Sequence, residues 1–399
     1  MPRQKGVHAV HVLCTLLTRL LFHGRLYKVA HMRLQSAINA PRNFVQLLIL
    51  LLAAGLFPQS RSAAQTTPFI VGADISSVQA AEDRGIKFTD AGVAKDIFEI
   101  LKSHGFNYIR LRVFVDPTKS GRQPAYSAQG YCDLPHTIIM AKRVKAAGMG
   151  LLIDFHYSDS WADPGKQYTP SAWANLSFPD LVTKTHDWTK DAVQQMKDAG
   201  AEPDMVQVGN EITPGMMVDR GGSAKNWDQL AQLLKAGISG VRDIDPKIVI
   251  MLHIDKGGNN LVTRTWVDNA QSRGVQFDVL GESCYTQWQG QPETWKANFA
   301  DLAVRYPNLK FICAEVADQV RPSNDIMHDL PDHRGLGTFI WEPTQNGNRQ
   351  GLFTAAGFGR RGRGAVTMAA SRPATPPGAV IPAKMGVYDQ IVRDYGLMP

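Results

Sequence analysis

Short apolar runs rich in Val and Ile alternate, from residue 69 to the C-terminus, with longer runs in which apolar residues recur every three or four positions. The first pattern is typical of strands buried on both faces, and the second of amphipathic helices. The predicted strands are residues 69–75, 108–115, 150–157, 205–211, 248–254, 278–285, 309–317 and 337–341. The predicted helices are residues 94–104, 133–147, 179–199, 227–243, 293–306 and 385–395.

The order and total length of these units predict an α/β fold, the (β/α)8 TIM barrel, which takes about 250 residues before insertions. A doubly wound open sheet is the alternative, and it usually carries a Gly-rich phosphate-binding turn after its first strand. The turn after Asp74 has no such pattern. Because no linker or repeat divides the chain, we predict a single catalytic domain over residues 65–399.

An apolar run at residues 44–57 has the length of a signal-peptide core and is too short to span a bilayer comfortably. Arginines precede it, and small residues at 62–64 suit a cleavage position. We therefore predict that residues 1–64 are an N-terminal extension and signal peptide, with Met32 as the probable start. The mature protein would be secreted or periplasmic, without stable membrane association after cleavage. A retained membrane anchor is the alternative.

The positive charge of the whole chain, +7, comes from its first 64 residues. They contain eight Lys and Arg and no Asp or Glu, so 35 bases remain against 36 acids in residues 65–399. A net charge near −1 gives no support for nucleic-acid binding. Outside the leader, Cys132, Cys284 and Cys313 are an odd number without metal-type spacing, which argues against a disulfide framework or a zinc site.

Residues 357–383 interrupt the alternation of strands and helices. They are rich in Gly, Pro, Ala and Arg and have no periodicity, which predicts a long, mobile loop after the eighth strand. Their arginines could contact an acidic partner, but a solvated loop explains the composition more simply.

Two glutamates, Glu211 and Glu315, each follow an apolar, β-branched run, so each carboxylate is predicted at the tip of a buried strand. Burying a carboxylate costs several kcal/mol unless it is paired, so two such placements call for an explanation. Glycoside hydrolysis requires two opposed carboxylates, one as proton donor and one as nucleophile or base. The alternative is that each Glu caps a following helix.

Other polar and aromatic residues share these strand ends, where the active site of a (β/α)8 barrel is built. The candidates for substrate binding are Asp74, Arg110, Arg112, Asp154, His156, Trp161, Asn210, Tyr285, Trp288 and Trp341. Indole rings can stack on the apolar faces of sugars while the polar side chains bind hydroxyls, and Arg110 could hold one carboxylate ionised. Asp74 could instead be a loop cap, His156 a core histidine and Trp161 a core residue.

Five segments of the chain resemble the family 53 glycoside hydrolases: residues 72–76 (GADIS), 105–112 (GFNYIRLR), 154–166 (DFHYSDSWADPGK), 206–212 (VQVGNEI) and 337–343 (GTFIWEP). The resemblance implies a retaining (β/α)8 arabinogalactan endo-1,4-β-galactanase. It also implies that Glu211 is the acid/base, with Asn210 beside it, and that Glu315 is the nucleophile.

One segment departs from the family pattern. Residues 281–288 read GESCYTQW, where the family usually has a Ser-Tyr-Tyr-Pro run, although Tyr285 keeps the place of a tyrosine near the nucleophile. The loop after strand eight also lacks an acidic stretch like the calcium-binding loop of some members. Because this acidic stretch is missing, we predict that the protein binds no metal, and we predict no cofactor.

The predicted function is that of a secreted, endo-acting, retaining hydrolase of β-1,4-galactan, a monomer whose partner is its polysaccharide substrate. We expect the carboxyls of Glu211 and Glu315 about 5–5.5 Å apart, the separation of retaining enzymes. We expect Glu282 to point towards the helices and Glu342 to orient a loop. The alternatives are another β-1,4-glycanase, such as a mannanase or glucanase, and a catalytically inactive carbohydrate-binding barrel.

Overall fold

Eight parallel strands close into a barrel in the order β1-β10-β9-β8-β7-β6-β5-β4. The computed structural model describes residues 69–345, 351–354 and 376–397, all within the unit Thr67–Pro399. Two short strands, β2 and β3, form a separate antiparallel hairpin. The strands are β1 (Ile70–Asp74), β2 (Thr89–Asp90), β3 (Val93–Ala94), β4 (Tyr108–Val113), β5 (Gly150–Phe155), β6 (Met205–Val208), β7 (Val249–Ile254), β8 (Val279–Cys284), β9 (Lys310–Val316) and β10 (Gly335–Trp341).

Nine α-helices within the described residues accompany the strands. They are α1 (Val78–Asp83), α2 (Ile97–Ser103), α3 (Leu134–Ala146), α4 (Phe178–Asp198), α5 (Trp227–Arg242), α6 (Asn260–Ser272), α7 (Pro292–Arg305), α8 (Val320–His328) and α9 (Pro382–Asp394). Side-chain caps fix several beginnings: Asp96, Asp133 and Ser177 accept backbone N–H bonds at the starts of α2, α3 and α4. Each cap satisfies an N–H group that lacks a partner within its helix.

The predicted barrel is confirmed, with corrections at the ends of elements. The fourth barrel strand ends at Val208 and not at residue 211, because Gly209 takes a φ of +85° and turns the chain. Helix α9 begins at Pro382, so the last two residues of the predicted loop 357–383 are helical. The remainder of that loop up to residue 375, and the predicted leader 1–64, lie outside the described residues.

Three helices, α1, α6 and α8, were missed by the sequence analysis. Helix α6 buries Thr263, Trp266, Val267 and Ala270, a helical spacing that includes only one large aliphatic residue. Its exposed side includes Leu261, which is 75% exposed, so the apolar residues of this stretch do not mark a single face. The tertiary contact with the barrel therefore decides this helix more than its own pattern does.

Apolar side chains close the inside of the barrel beneath the polar strand ends. Ile70, Leu152, Met251, Ile312 and Phe339 belong to this inner cluster, and a larger cluster lies between the strands and the helices. Gly72 leaves room for the Phe339 ring, since a Cβ at this position would lie 2.3 Å from its Cδ1. These apolar side chains fill the inside of the barrel, and the polar residues lie above them at the C-terminal ends of the strands.

Candidate active site

The C-terminal ends of the barrel strands bring all twelve predicted site residues into one connected cluster. Strand register explains much of this, because Asp74 pairs with Arg110, and Arg112 pairs with Asp154. Residues paired in a parallel sheet lie at the same height of the barrel, and alternate side chains point inward. Among the described residues, no group of three or more His, Cys, Asp or Glu side chains is arranged to hold a metal ion.

The guanidinium of Arg110 is the centre of this cluster and is almost completely buried. Its Nη1 donates to Asp74 at 2.9 Å and to Glu315 at 3.0 Å. Its Nη2 donates to Asp154 and to the side-chain carbonyl of Asn210, both at 2.8 Å. Three buried carboxylates thus share the Arg110 cation, and the five N–H groups of its planar guanidinium can donate to several acceptors at once.

Glu315, at the end of β9, accepts hydrogen bonds on both oxygens. Arg110 donates to Oε1 and the Tyr285 hydroxyl donates to Oε2 at 2.9 Å. Burial raises the pKa of Glu315, and the charges of Asp74 and Asp154 raise it further, while Arg110 and Tyr285 lower it. The predicted action of Arg110 is therefore present, but burial outweighs it and the pKa stays above its usual value.

Glu211 lies in the turn after β6, with a left-handed backbone at φ +48°. The Ser283 hydroxyl contacts its Oε1 at 2.6 Å. Burial raises the pKa of Glu211 well above its usual value, and the negative charge of Glu315 raises it further. The cation of Arg110 and the Tyr285 hydroxyl both stabilise an ionised Glu315, whereas the neutral Ser283 hydroxyl contacts Glu211, so these surroundings favour the shared proton on Glu211.

Asp154 and His156 form an ordered pair on β5 and just beyond it. The Ala162 backbone N–H donates to His156 Nδ1 at 3.1 Å, so Nε2 carries the proton that faces Asp154 Oδ2 at 3.0 Å. Burial opposes ionisation of Asp154, but Arg110 and His156 outweigh it and lower its pKa to about 2. Asp154 is therefore a permanent carboxylate, and His156 is oriented by it.

Three predicted tryptophans border this polar cluster. The ring of Trp161 lies 4.4 Å from the guanidinium carbon of Arg112, within cation–π range, and 6.3 Å from the ring of Trp341. Trp288 is 68% exposed and packs edge-on against Tyr285, with ring centroids 5.5 Å apart. A large exposed indole beside buried polar residues is a surface on which a ligand can stack.

The expectations for the two other acidic residues are confirmed. Glu282 points outward to the helices, where Thr263 and Asn298 each donate to it at 2.6 Å, and burial raises its pKa to about 8. Glu342 is fully buried and bonds to Arg112 and to Ser77, which lies in the turn after β1. It therefore ties loop residues to the site.

The sequence analysis missed three buried polar residues of the cluster, Gln207, His253 and Ser283. Gln207 accepts from Arg110 Nε at 3.2 Å and donates to Asp154 at 2.7 Å. His253 contacts Asn210 Oδ1 at 2.9 Å and Ser283 Oγ at 3.0 Å. The signal that could have identified them is the alternation of side chains along a strand, which also points Gln207 on β6 and His253 on β7 towards the inside of the barrel.

Comparison with known proteins places this chain among glycosidases. Residues 70–328 match the family model described as glycosyl hydrolase family 53. This chain belongs to that family. It is 34% identical over 311 residues to the endo-beta-1,4-galactanase of Bacillus subtilis, covering 69% of this chain and 70% of the relative. It is 31% identical over 307 residues to the arabinogalactan endo-beta-1,4-galactanase of Humicola insolens, covering 68% and 88%.

Solved family 53 structures agree with this assignment. The Ignisphaera aggregans GH53 catalytic domain has a TM-score of 0.71 and 32% identity, covering 82% of this chain and 98% of that domain. A structure described among two fungal beta-1,4-galactanases has a TM-score of 0.68 and 27% identity, covering 80% and 98%. The family 53 fold thus spans the barrel and its helices, and the chain is a glycosidase.

Proposed function

We propose that this family 53 enzyme is an endo-acting β-1,4-galactanase that retains anomeric configuration. The names of its Bacillus and Humicola relatives support the substrate, β-1,4-galactan. The observation that carries the mechanism is the unequal environment of the two glutamates. Glu315 accepts from the cation of Arg110 and from Tyr285. Among the described residues, only the neutral Ser283 hydroxyl is hydrogen-bonded to the carboxyl of Glu211.

This asymmetry assigns a role to each carboxyl group. In the first step Glu315 attacks the anomeric carbon, the bond to the leaving sugar breaks, and Glu211 gives its proton to the leaving oxygen. In the second step Glu211 takes a proton from water, the water oxygen attacks the same carbon, and the bond to Glu315 breaks. Arg110 and Tyr285 favour the ionised Glu315 that the first step requires.

The cluster around the glutamates is suited to bind a sugar chain. Trp161, Trp288 and Trp341 provide indole surfaces. Asp154 is completely buried, so it acts through the side chains that it holds in place, Arg110, His156 and Gln207. Because O4 of galactose is axial, a β-1,4-galactan chain curves and presents hydroxyls away from the mean plane of its rings. We expect polar side chains of the loop after β5, residues 158–166, to form hydrogen bonds with these hydroxyls.

A different β-1,4-glycan is the second candidate substrate. The specific observation behind it is residues 281–288, the second half of β8 and the turn that follows, which depart from the family pattern next to Tyr285. An inactive carbohydrate-binding barrel has less support, since binding alone would not require Arg110, Ser283 and Tyr285 to hold two glutamates in unequal environments.

We expect the purified mature chain to release reducing sugar faster from galactan than from mannan or carboxymethyl cellulose, with arabinogalactan as a fourth substrate. A site built around one hydroxyl can reject an analogue by about 10⁴-fold, and an open cleft reduces this ratio because water can replace the missing contact. Glu315→Ala protein prepared identically controls for contaminating hydrolases. Equal or greater activity on mannan or cellulose would overturn the substrate and leave the catalytic pair in place.

We also expect Trp341→Ala to lower kcat/KM about tenfold or more, equivalent to about 1.4 kcal/mol of lost transition-state binding, with little change in melting temperature. The matched control is Trp295→Ala, since Trp295 on α7 is completely buried and its truncation should cost about 3–5 kcal/mol of stability. A large melting loss for Trp341→Ala with near-normal activity per folded molecule would show that Trp341 is a core residue.

We propose that the mature enzyme is secreted or periplasmic and acts as a monomer. The apolar run at 44–57, followed by small residues, supports export. Within residues 69–345, 351–354 and 376–397, no helix is long and apolar enough to cross a membrane. A chain recovered from the medium or periplasm that still carries residues 44–57 would contradict cleavage.

A further inference from the structure

Two polar residues outside the glutamate pair, Ser283 and His253, form a chain of hydrogen bonds that leads away from the carboxyl of Glu211. Ser283 Oγ lies 2.6 Å from Glu211 Oε1 and 3.0 Å from His253 Nε2. The other ring nitrogen of His253, Nδ1, lies 2.9 Å from Asn210 Oδ1 and 3.2 Å from Gln207 Nε2. Nδ1 therefore faces both an acceptor and a donor.

His253 is neutral in this position. It is completely buried, and desolvation and the charge of Arg110 lower its pKa well below the usual value, although Asp154 opposes this. A neutral imidazole carries one proton, on Nδ1 or on Nε2, and the other nitrogen accepts. The surroundings offer a partner for each of these two tautomers.

With the proton on Nδ1, His253 donates to Asn210, and Nε2 accepts the Ser283 hydroxyl proton. Ser283 Oγ is then free to accept from Glu211, which requires a protonated carboxyl. With the proton on Nε2, His253 donates to Ser283 Oγ, Ser283 donates to the Glu211 carboxylate, and Nδ1 accepts from Gln207. Each protonation state of Glu211 therefore has its own complete set of hydrogen bonds.

We propose that Ser283 and His253 are positioning residues that couple the tautomer of His253 to the protonation state of Glu211, so that the acid and the base forms are both fully hydrogen-bonded. The proposal rests on the assignment of Glu211 as the acid/base. A retaining enzyme uses that residue as an acid in one step and as a base in the next, so a fixed donor or a fixed acceptor would favour one step at the expense of the other.

The exchange between the two arrangements balances. When Glu211 titrates, Glu211, Ser283 and His253 together lose one proton and hold three before and two after. The Ser283 hydroxyl turns from His253 Nε2 to Glu211 Oε1, and the imidazole proton lies on Nε2 in place of Nδ1. Glu211 has lost one proton, and both Ser283 and His253 carry one proton before and after. The Gln207 amide nitrogen can serve either arrangement without moving, since it lies 2.7 Å from Asp154 Oδ1, 3.1 Å from the Gly209 carbonyl oxygen, 3.0 Å from Asn210 Oδ1 and 3.2 Å from His253 Nδ1, and its two hydrogens can be shared among these acceptors.

The surrounding charges set the pH at which this exchange occurs. Glu315, Asp255 and Asp163 face Glu211 with negative charge and raise its pKa. Arg110, Asp154 and His156 are the charged and titratable groups that act on His253. Of these, Arg110 and Asp154 keep their charges across the working range, and the pKa of Asp154 is about 2.

The test is a pH titration of the full mature enzyme with ¹⁵N-labelled histidine, observed by NMR. The His253 signals are assigned by their loss in His253→Gln. We expect the proton of the His253 ring to lie on Nδ1 at low pH, where Glu211 is protonated. At high pH, where Glu211 is ionised, we expect it to lie on Nε2. The midpoint should coincide with the basic limb of kcat/KM, which reports the essential acid of the free enzyme. A single tautomer across the whole of that limb would overturn the proposal.

Three variants distinguish the proposed coupling from a purely structural role. Ser283→Ala should abolish the tautomer exchange of His253 and lower kcat about tenfold to a hundredfold, which is the rate equivalent of one hydrogen bond to a charged group. Ser283→Thr should restore part of both the exchange and the rate. Thr263→Val, which removes another buried hydroxyl–carboxylate bond, to Glu282, should leave the His253 titration unchanged. Persistence of the exchange in Ser283→Ala would refute the coupling. The tautomer measurement needs no substrate, so a wrong substrate assignment would not affect it.

Discussion

Glu315→Ala is expected to abolish turnover, with a loss of kcat on the order of 10⁶, as when a covalent nucleophile is removed from other enzymes. Glu211→Ala is expected to cost less, about 10²–10⁴-fold on a substrate with an activated leaving group, because it removes proton transfer and leaves the nucleophile in place. The two carboxyls have unequal effects because Arg110 and Tyr285 support the charge of Glu315.

Chemical rescue by azide distinguishes the two roles by the configuration of the product. Azide should enter the Glu211→Ala glycosyl-enzyme and give a β-azide, because the nucleophile remains and its intermediate is attacked from the opposite face. In Glu315→Ala, azide can only replace the nucleophile itself and should give an α-azide. Exchange of these two outcomes would reverse the assignment.

Glu282→Gln is the control, since Glu282 is a completely buried glutamate of β8 that bonds to Thr263 and Asn298 outside the barrel. It should retain turnover and need no rescue. With the wild-type enzyme, proton NMR of fresh product should show the β-anomer first, as expected for carboxyls about 5–5.5 Å apart. Initial release of the α-anomer would indicate an inverting enzyme and contradict the double displacement.

Arg110→Met is expected to reduce both stability and activity severely. It leaves Asp74, Asp154 and Glu315 without their shared cation in a buried site, and breaking a buried ion pair in this way costs about 3–5 kcal/mol. The carboxylates can relieve part of this cost by taking up protons. The loss of stability should therefore be larger at neutral pH than at acidic pH, because protonation of the three carboxyls removes the uncompensated charge.

The measurement is denaturant unfolding at several pH values, compared with Arg143→Met. Arg143 on α3 also binds two carboxylates, Glu82 and Asp96, but its side chain is 29% exposed, so its loss should cost at most about 1 kcal/mol. Equal losses for the two variants, or a loss at Arg110 that does not depend on pH, would show that the buried carboxylates do not depend on the Arg110 charge.

How far the sequence could predict the site depends on the strand considered. Arg110 and Arg112 were predicted because alternation along one strand places both on the inner face. His253 lies on a strand predicted almost to the residue, yet a lone histidine in the run VIMLHI carries no sign of its partners Asn210 and Ser283, which are distant in sequence. Its importance depends on contacts between strands.

Period and composition along the chain determined the barrel, since strands buried on both faces and amphipathic helices have distinct patterns that need no long-range information. The same patterns placed Glu315 at the end of a strand, and they placed Glu211 close to its true position, three residues beyond the end of β6. Only the tertiary structure decided their chemistry. Burial, the Arg110 charge on one carboxyl and the Ser283 hydroxyl on the other depend on distances between residues far apart in sequence, and electrostatic energy follows distance in space.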